Sequence, residues 1–109
     1  MALTHAAPGT AVALRGALLP GEPKAQALFK SRDLEVVRLA LAAGEALPPH
    51  RVAGEITVQC LSGALQLGLD EGHCALRAGE MSYLSGGALH DVRALEDCVA
   101  LVTIVLAHG

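Results

Sequence analysis

The amino-acid sequence predicts an all-β protein, a sandwich or barrel of short antiparallel strands. Apolar residues recur at every second position in several short segments, and Gly, Pro, Asp and Ser residues separate those segments. Side chains alternate between the two faces of a strand, so a period of two is typical of half-buried β-strands. No periodic segment is long enough to require a helix, and short strands between frequent turns are typical of sandwiches and barrels.

The composition agrees with one folded domain and argues against nucleic-acid binding. The chain has 109 residues, 52% of them hydrophobic. A domain of this length buries roughly 65% of the surface of its unfolded chain, which is enough for a single core. Aromatic residues make up only 2%, and the net charge of −3 comes without a basic run. The chain therefore lacks both the stacking platform and the positive surface that nucleic acids require.

The cysteines and the N-terminus predict a cytoplasmic protein with no membrane partner. Cys60, Cys74 and Cys98 are odd in number and have no CxxC spacing, which indicates reduced thiols rather than a disulfide framework or a zinc site. No cationic leader is present. The most apolar N-terminal run, residues 11–19, is interrupted by Arg15 and is too short to span a bilayer.

Residues 1–23 are predicted to form an arm outside the barrel. This segment is rich in Ala, Gly and Pro and has no sustained period. Such termini are loose unless they dock on a sheet. We therefore expect either a flexible arm or a strand exchanged with a partner, followed by a β-barrel domain over residues 24–109. The first strands of that domain are predicted at residues 24–30 and 34–42.

The most informative segment is residues 44–63, with the sequence GEALPPHRVAGEITVQCLSG. Gly44 and the pair Pro48 and Pro49 exclude a helix, because proline lacks the backbone donor and pushes its predecessor into extended geometry. His50 is therefore expected at the start of a strand, at the mouth of the barrel.

The second half of this segment predicts a strand followed by a turn. The residues expected on the inward face of the strand are Ile56, Val58 and Cys60. The dipeptide Ser62-Gly63 then predicts a turn, so that residues 64–69 pair with this strand as a β-hairpin.

Four more strands are predicted at residues 73–76, 81–84, 90–94 and 98–106. The last of them is apolar on both faces, whereas an antiparallel strand with one solvated face should alternate polar and apolar residues. Either a second layer of the barrel or another subunit could cover its outer face. Because the N-terminal half supplies little extra cover, we expect a homodimer.

Two segments resemble the sequence motifs of the cupins. The first cupin motif runs glycine, five residues, histidine, one residue, histidine, three or four residues, glutamate, six residues, glycine; the second contains a glycine, a proline, a further glycine, a histidine and an asparagine. The matching positions here are Gly44, His50, Gly63, Gly79, Gly87 and His90. The resemblance covers residues 24–106 and implies a jelly-roll barrel, the antiparallel double-stranded β-helix.

Four positions depart from the cupin motifs. Val52 stands in place of the second histidine and Ile56 in place of the glutamate, so two of the four usual metal ligands are missing. Ser85 replaces the proline and Ala94 replaces the asparagine. Within the family, residues 50–55 and 90–97 resemble small bacterial cupins of uncharacterised function that lack the full ligand set.

The resemblance implies that His50 and His90 converge inside the barrel. Two imidazoles are a reasonable start for a Zn, Fe, Mn, Ni or Cu site, but firm sites normally use three or four protein ligands. We therefore expect no firmly held cofactor. Glu55 would become a ligand only if a backbone bulge turned it inward. A role for Cys60 as soft ligand or nucleophile competes with the commoner role of a small core residue.

These observations lead to three hypotheses about function. The first is a small-molecule-binding protein with a mostly apolar barrel pocket. The residues expected to line it are His50, Val52, Ile56, Val58, Cys60, Tyr83 and His90. The second is a metal-dependent enzyme, an oxygenase or isomerase, that uses His50 and His90. The third is a dimeric structural or regulatory protein. The sequence leaves open whether the chain is an enzyme.

Overall fold

Two antiparallel sheets face each other in the computed structural model, which describes residues 5–14 and 24–107. The strands are β1 (Ala25–Lys30), β2 (Leu34–Leu41), β3 (Ala46–His50), β4 (Ile56–Ser62), β5 (Ala64–Leu69), β6 (Gly72–Arg77), β7 (Met81–Leu84), β8 (His90–Ala94) and β9 (Cys98–Val105). The five-stranded sheet has the order β1-β2-β9-β4-β7, and the four-stranded sheet has the order β3-β8-β5-β6. The described residues contain no helix, and therefore none that is long and apolar enough to cross a membrane. The all-β prediction is confirmed.

Aliphatic side chains fill the space between the sheets. Both sheets contribute alternate residues to one buried cluster, which consists of Leu39, Leu41, Ile56, Val58, Cys60, Leu65, Leu67, Leu76, Leu84, Val92, Ala94, Cys98, Ala100 and Val102. Burial of such side chains stabilises a fold by roughly 25 cal/mol per Å² of apolar surface. Ile56, Val58 and Cys60 all belong to this cluster, so the alternation in the sequence correctly predicts the inward face of β4.

The predicted hairpin between β4 and β5 is wrong. Strand β4 pairs with β7 and β9, whereas β5 pairs with β6 and β8, so the two strands lie in opposite sheets. Gly63 forms the corner between them with a φ of +73°. An alanine Cβ at Gly63 would lie 2.0 Å from the carbonyl oxygen of Asp97. Two adjacent apolar strands look the same in sequence whether they pair side by side or face each other across a core.

His50 ends a strand rather than beginning one. It is the last residue of β3, and the prolines Pro48 and Pro49 lie inside that strand. The pairing of β3 with β8 is irregular between Leu47 and His50. Strand β3 is at the edge of its sheet, where proline is tolerated because its missing N–H would not meet a neighbouring strand.

The described part of the N-terminal arm lies against the five-stranded sheet. The backbone N–H of Ala6 donates to the carbonyl oxygen of Leu28 over 2.9 Å, at the irregularity in β1. Further along, Arg38 Nε donates to the carbonyl oxygen of Leu14 over 3.0 Å, and Arg38 is only 7% exposed. Residues 1–4 and 15–23 lie outside the described residues, so flexibility or strand exchange of the arm stays a prediction.

The outer face of the five-stranded sheet carries large exposed hydrophobic side chains between polar ones. Opposed residues in neighbouring strands share a face, and Leu34 opposes Val105. Met81 and Tyr83 oppose residues of β4 that alternate with its buried positions. Five large hydrophobic side chains are exposed in the described residues. Leu34, Met81, Tyr83 and Val105 lie on this face, whereas Leu95 lies in the segment after β8.

Candidate functional site

Two histidines meet at one end of the four-stranded sheet. His50 on β3 opposes His90 on β8, and His90 in turn opposes Leu69 on β5. The two imidazole centroids are 4.2 Å apart, with an angle of 60° between the ring planes, which is an edge-to-face contact. His90 is 4% exposed, whereas His50 is exposed. The pair therefore connects the buried core with solvent at the barrel mouth.

Backbone carbonyls hold both rings in the same way. Nδ1 of His50 lies 3.0 Å from the carbonyl oxygen of Pro48, and Nδ1 of His90 lies 3.0 Å from that of Ala88. A carbonyl oxygen only accepts hydrogen bonds, so Nδ1 carries the proton in each contact. In the neutral ring Nε2 then presents a lone pair, which can accept a hydrogen bond or bind a metal.

The loops next to the two histidines bind each other. The N–H of Gly87 donates to the carbonyl oxygen of Val52 over 2.8 Å, and Arg51 Nη1 donates to the carbonyl oxygen of Gly87 over 3.2 Å. Gly86 approaches so closely that a Cβ there would lie 2.4 Å from the carbonyl oxygen of Ala53. These contacts tie the loop after β3 to the loop before β8, and so restrict the mouth around the histidines.

An open groove of about 510 Å³ lies at this mouth. Its lining residues are Leu69, Asp70, Glu71, Tyr83, Leu84, Ser85, Ala88 and Leu89. They come from the β5–β6 turn, the end of β7 and the loop before β8. Sequence reasoning expected only Tyr83 among them to line a pocket, because no local pattern indicates that these segments meet.

Solved structures identify the fold. No family model matches the chain, and no curated protein matches it in sequence. An RmlC-like cupin protein from Desulfovibrio desulfuricans is 24% identical, with a TM-score of 0.70 over 84% of this chain and 94% of its own. A cupin superfamily protein from Desulfitobacterium hafniense is 13% identical, with a TM-score of 0.73 over 88% of this chain and 100% of its own. This chain has the cupin fold.

A further similar structure is a conserved protein of unknown function from Streptococcus pyogenes. It is 22% identical, with a TM-score of 0.72 over 78% of this chain and 75% of its own. The cupin fold confirms the jelly-roll barrel that the two sequence motifs implied.

The residues that the sequence predicts to line an apolar barrel pocket lie at different depths in this cupin barrel. Val58, Cys60 and Ile56 lie in the close-packed core, and Val52 packs against that core while half-buried. Tyr83 is 59% exposed, on the solvent side of β7. Of the predicted lining residues, the structure brings His50 and His90 into contact and leaves Tyr83 at the groove.

Glu55 interacts with Tyr83 rather than with the histidines. Its carboxylate raises the pKa of the Tyr83 phenol, because the negative charge disfavours the phenolate and burial adds to the effect. No bulge turns Glu55 toward the pair. The N–H of Val105 donates to the carbonyl oxygen of Glu55 over 2.9 Å, in the register in which Ile56 opposes Ile104.

The histidine pair has no third protein ligand within the described residues. No group of three or more His, Cys, Asp or Glu side chains occurs in residues 5–14 and 24–107. Two Nε2 lone pairs fit a borderline transition metal only if water or substrate completes its shell. Cys60 supplies no thiolate at neutral pH, since burial raises its pKa, and its Sγ donates to the carbonyl oxygen of Ser62 over 3.4 Å.

Proposed function

We propose that this chain binds a small molecule at the mouth of its cupin barrel, with His50 and His90 as the polar contacts. The observation that carries the proposal is the contact between two imidazoles whose Nδ1 atoms are both held by backbone carbonyls. Such tethering fixes the ring orientation and gives each Nε2 a defined direction. Apolar walls with a few fixed polar groups are typical of small-molecule sites.

Ligand-observed NMR with a fragment library tests this proposal. We expect fragments that bind the wild type to lose binding in His50→Gln, because the variant lacks one of the two imidazole contacts. His50 is exposed, so its replacement leaves the core intact. His73→Gln is the matched control, since His73 is also exposed but opposes Gly68, on the face of the sheet opposite to that of His90. Binding that survives His50→Gln, or is lost equally in His73→Gln, contradicts the proposal.

A second candidate is a metal-dependent enzyme, an oxygenase or isomerase. The tethered Nδ1 atoms favour it, because metal-ligating histidines usually donate their other ring N–H to a carbonyl or carboxylate. His50 and His90 would hold Zn, Fe, Mn, Ni or Cu, and the metal would supply a Lewis acid or a redox centre. With two protein ligands, its affinity depends on water or substrate.

Elemental mass spectrometry on untagged protein separates the two candidates. Near-stoichiometric metal in the wild type and His73→Ala, but not in His50→Ala, supports the metal-dependent enzyme. Wild-type protein without metal after purification in metal-supplemented medium supports the binding protein.

We also propose a homodimer that buries the outer face of the five-stranded sheet, in a cytoplasmic protein. The exposed apolar side chains on that face support the dimer, and three free cysteines agree with a reducing compartment. Val105 and Leu95 are equally exposed, at 49% and 48%, but only Val105 lies on this face. Sedimentation velocity should show a dimer for the wild type and Leu95→Asp and a monomer for Val105→Asp; a monomeric wild type contradicts the proposal.

A wild-type protein that forms the dimer but binds neither a fragment nor a metal supports the remaining alternative. In that alternative the chain is a dimeric structural or regulatory protein. The sedimentation experiment therefore has to accompany the binding experiments.

A further inference from the structure

The outer edge of β7 is the least protected strand edge in this fold. The two sheets end in β1 and β7 and in β3 and β6. Ala6 donates a backbone hydrogen bond to β1, Pro48 and Pro49 lie in β3, and β6 ends at the exposed Arg77. A covering segment, proline and charge all hinder pairing with a foreign strand. Strand β7 contains neither proline nor charge, and no strand of the described residues covers its outer edge.

Backbone hydrogen bonds with β4 are made by alternate residues of β7. In an antiparallel pair, only every second residue exchanges bonds with the strand opposite. The N–H of Cys60 donates to the carbonyl oxygen of Glu80 over 2.9 Å. Two residues further along each strand, Val58 opposes Ser82, and the next such step reaches Leu84. Ser82 and Leu84 are therefore the residues of β7 that bond to β4.

Met81 and Tyr83 direct their backbone N–H and C=O groups away from β4. No strand lies beyond β7, and these two residues make no further backbone–backbone hydrogen bond within residues 5–14 and 24–107. Both residues are also exposed, at 58% and 59%. An accessible row of unpaired donors and acceptors is a template to which an extended polypeptide can add as a further strand.

The groove beside β7 carries negative charge. Tyr83 and Leu84 line this groove from β7, and Asp70 and Glu71 line it from the β5–β6 turn. None of its lining residues is Lys or Arg. Glu55 lies close enough to Tyr83 that its carboxylate raises the pKa of the phenol. A strand that adds to this edge therefore meets carboxylates on both sides of β7.

Charge and area both favour a segment of another protein over a second copy of this chain. Two copies joined through β7 would bring their own carboxylates together. The edge has four residues, whereas each partner in a stable dimer buries about 800 Å².

We propose that the edge of β7 binds an extended segment of another protein that has alternating apolar residues and a Lys or Arg. The apolar side chains pack beside Met81 and Tyr83, and the basic side chain lies toward Asp70 and Glu71. Hydrogen bonds to the edge supply the affinity, and the side chains select the partner. The inference does not depend on the ligand proposed at the histidine pair.

A hexapeptide, acetyl-Thr-Lys-Val-Thr-Val-Thr-amide, tests the proposal beside its counterpart with Glu in place of Lys. Both are titrated into ¹⁵N-labelled full-length protein, and into Val105→Asp, so that a dimer on the outer face does not mask the edge. We expect the lysine peptide at saturation to slow hydrogen exchange of the Met81 and Tyr83 amides, whereas the Ser82 and Leu84 amides are protected without it. The glutamate peptide should bind about three- to tenfold more weakly, because exposed ion pairs contribute little individually.

N-methylation of the lysine peptide tests the backbone pairing directly. If the lysine lies opposite Leu84 in an antiparallel register, the two valines oppose Tyr83 and Met81 and exchange hydrogen bonds with them. Methylation of both valine nitrogens should abolish binding. Methylation of the threonine after each valine is the matched control, because those N–H groups point to solvent. Equal losses from the two changes, or no binding of the unmodified peptide to either protein, overturn the inference.

Two double variants test the position of the basic side chain. Asp70→Asn with Glu71→Gln removes the charge from the groove, and Glu96→Gln with Asp97→Asn removes the same charge from the exposed turn between β8 and β9. Only the first variant should lose the preference for lysine over glutamate; equal effects refute the assigned position. An affinity that falls as the concentration of Val105→Asp rises shows that a second copy occupies the edge, and overturns the inference.

Discussion

Replacement of Gly63 by alanine tests the corner that carries the chain from one sheet to the other. Gly63 has a φ of +73°, which disfavours an L-residue by about 1–2 kcal/mol. The new Cβ would lie 2.0 Å from the carbonyl oxygen of Asp97 and 2.9 Å from Cα of Cys98. Both atoms belong to backbone, so no side-chain rotation relieves the overlap.

The two effects together predict a large loss of stability. An overlap that forces the backbone to shift costs about 1–3 kcal/mol in packed regions. Added to the cost of the left-handed conformation, Gly63→Ala should lower the free energy of unfolding by about 2–5 kcal/mol. That is a substantial fraction of the about 5–15 kcal/mol that stabilises a typical domain.

Gly79→Ala is the matched control. Gly79 has a φ of +89°, but no atom lies within 4 Å of the Cβ that alanine would add. It should therefore cost only the conformational part, about 1–2 kcal/mol. Urea unfolding followed by far-ultraviolet circular dichroism measures both variants, with an unchanged m-value as the sign that the folded state stays compact. Equal losses in the two variants would refute the steric argument and show that the turn at Asp97 yields freely.

Three further outcomes follow from buried groups. Cys74 is half-buried while Cys60 and Cys98 are buried, so a thiol reagent should modify one cysteine in the native protein and three after unfolding; early modification of all three contradicts the packing. Burial raises the pKa of Cys60 and Cys98 above 9.0, so the folded state keeps protons that the unfolded state loses. These two thiols should therefore leave the free energy of unfolding unchanged below about pH 8 and lower it as the pH rises beyond 9.0, less steeply in Cys98→Ala. Arg38→Met should lower stability by about 1–3 kcal/mol and speed proteolysis within residues 5–14, whereas Arg93→Met, at an exposed arginine, should do neither.

The positions of several strands along the chain are predictable from local sequence. The predicted bounds of β7 and β8 coincide with Met81–Leu84 and His90–Ala94. Alternation also identifies Ile56 and Val58 as inward-facing, because one face of a strand must be buried for the sheet to be stable. The meeting of His50 with His90 was accessible only through the resemblance to the cupin motifs, since the two residues are far apart in the chain.

The groove escaped sequence analysis for a physical reason. Asp70 and Glu71 look like an ordinary solvated turn, and Ala88 and Leu89 look like an ordinary loop. They become one surface only when the β5–β6 turn and the end of β7 close over the same end of the barrel. No periodic pattern marks that approach, so the groove could not be predicted.

The sequence by itself determined most of the strands and the inward face of β4, because these depend on glycine and on the alternation of side chains along a short stretch. Only the tertiary structure decided that β4 and β5 lie in opposite sheets, that leucines fill the interior, and that a groove opens beside the histidines. Burial of apolar surface is non-directional, so it requires that an inward face be covered without specifying which distant segment covers it.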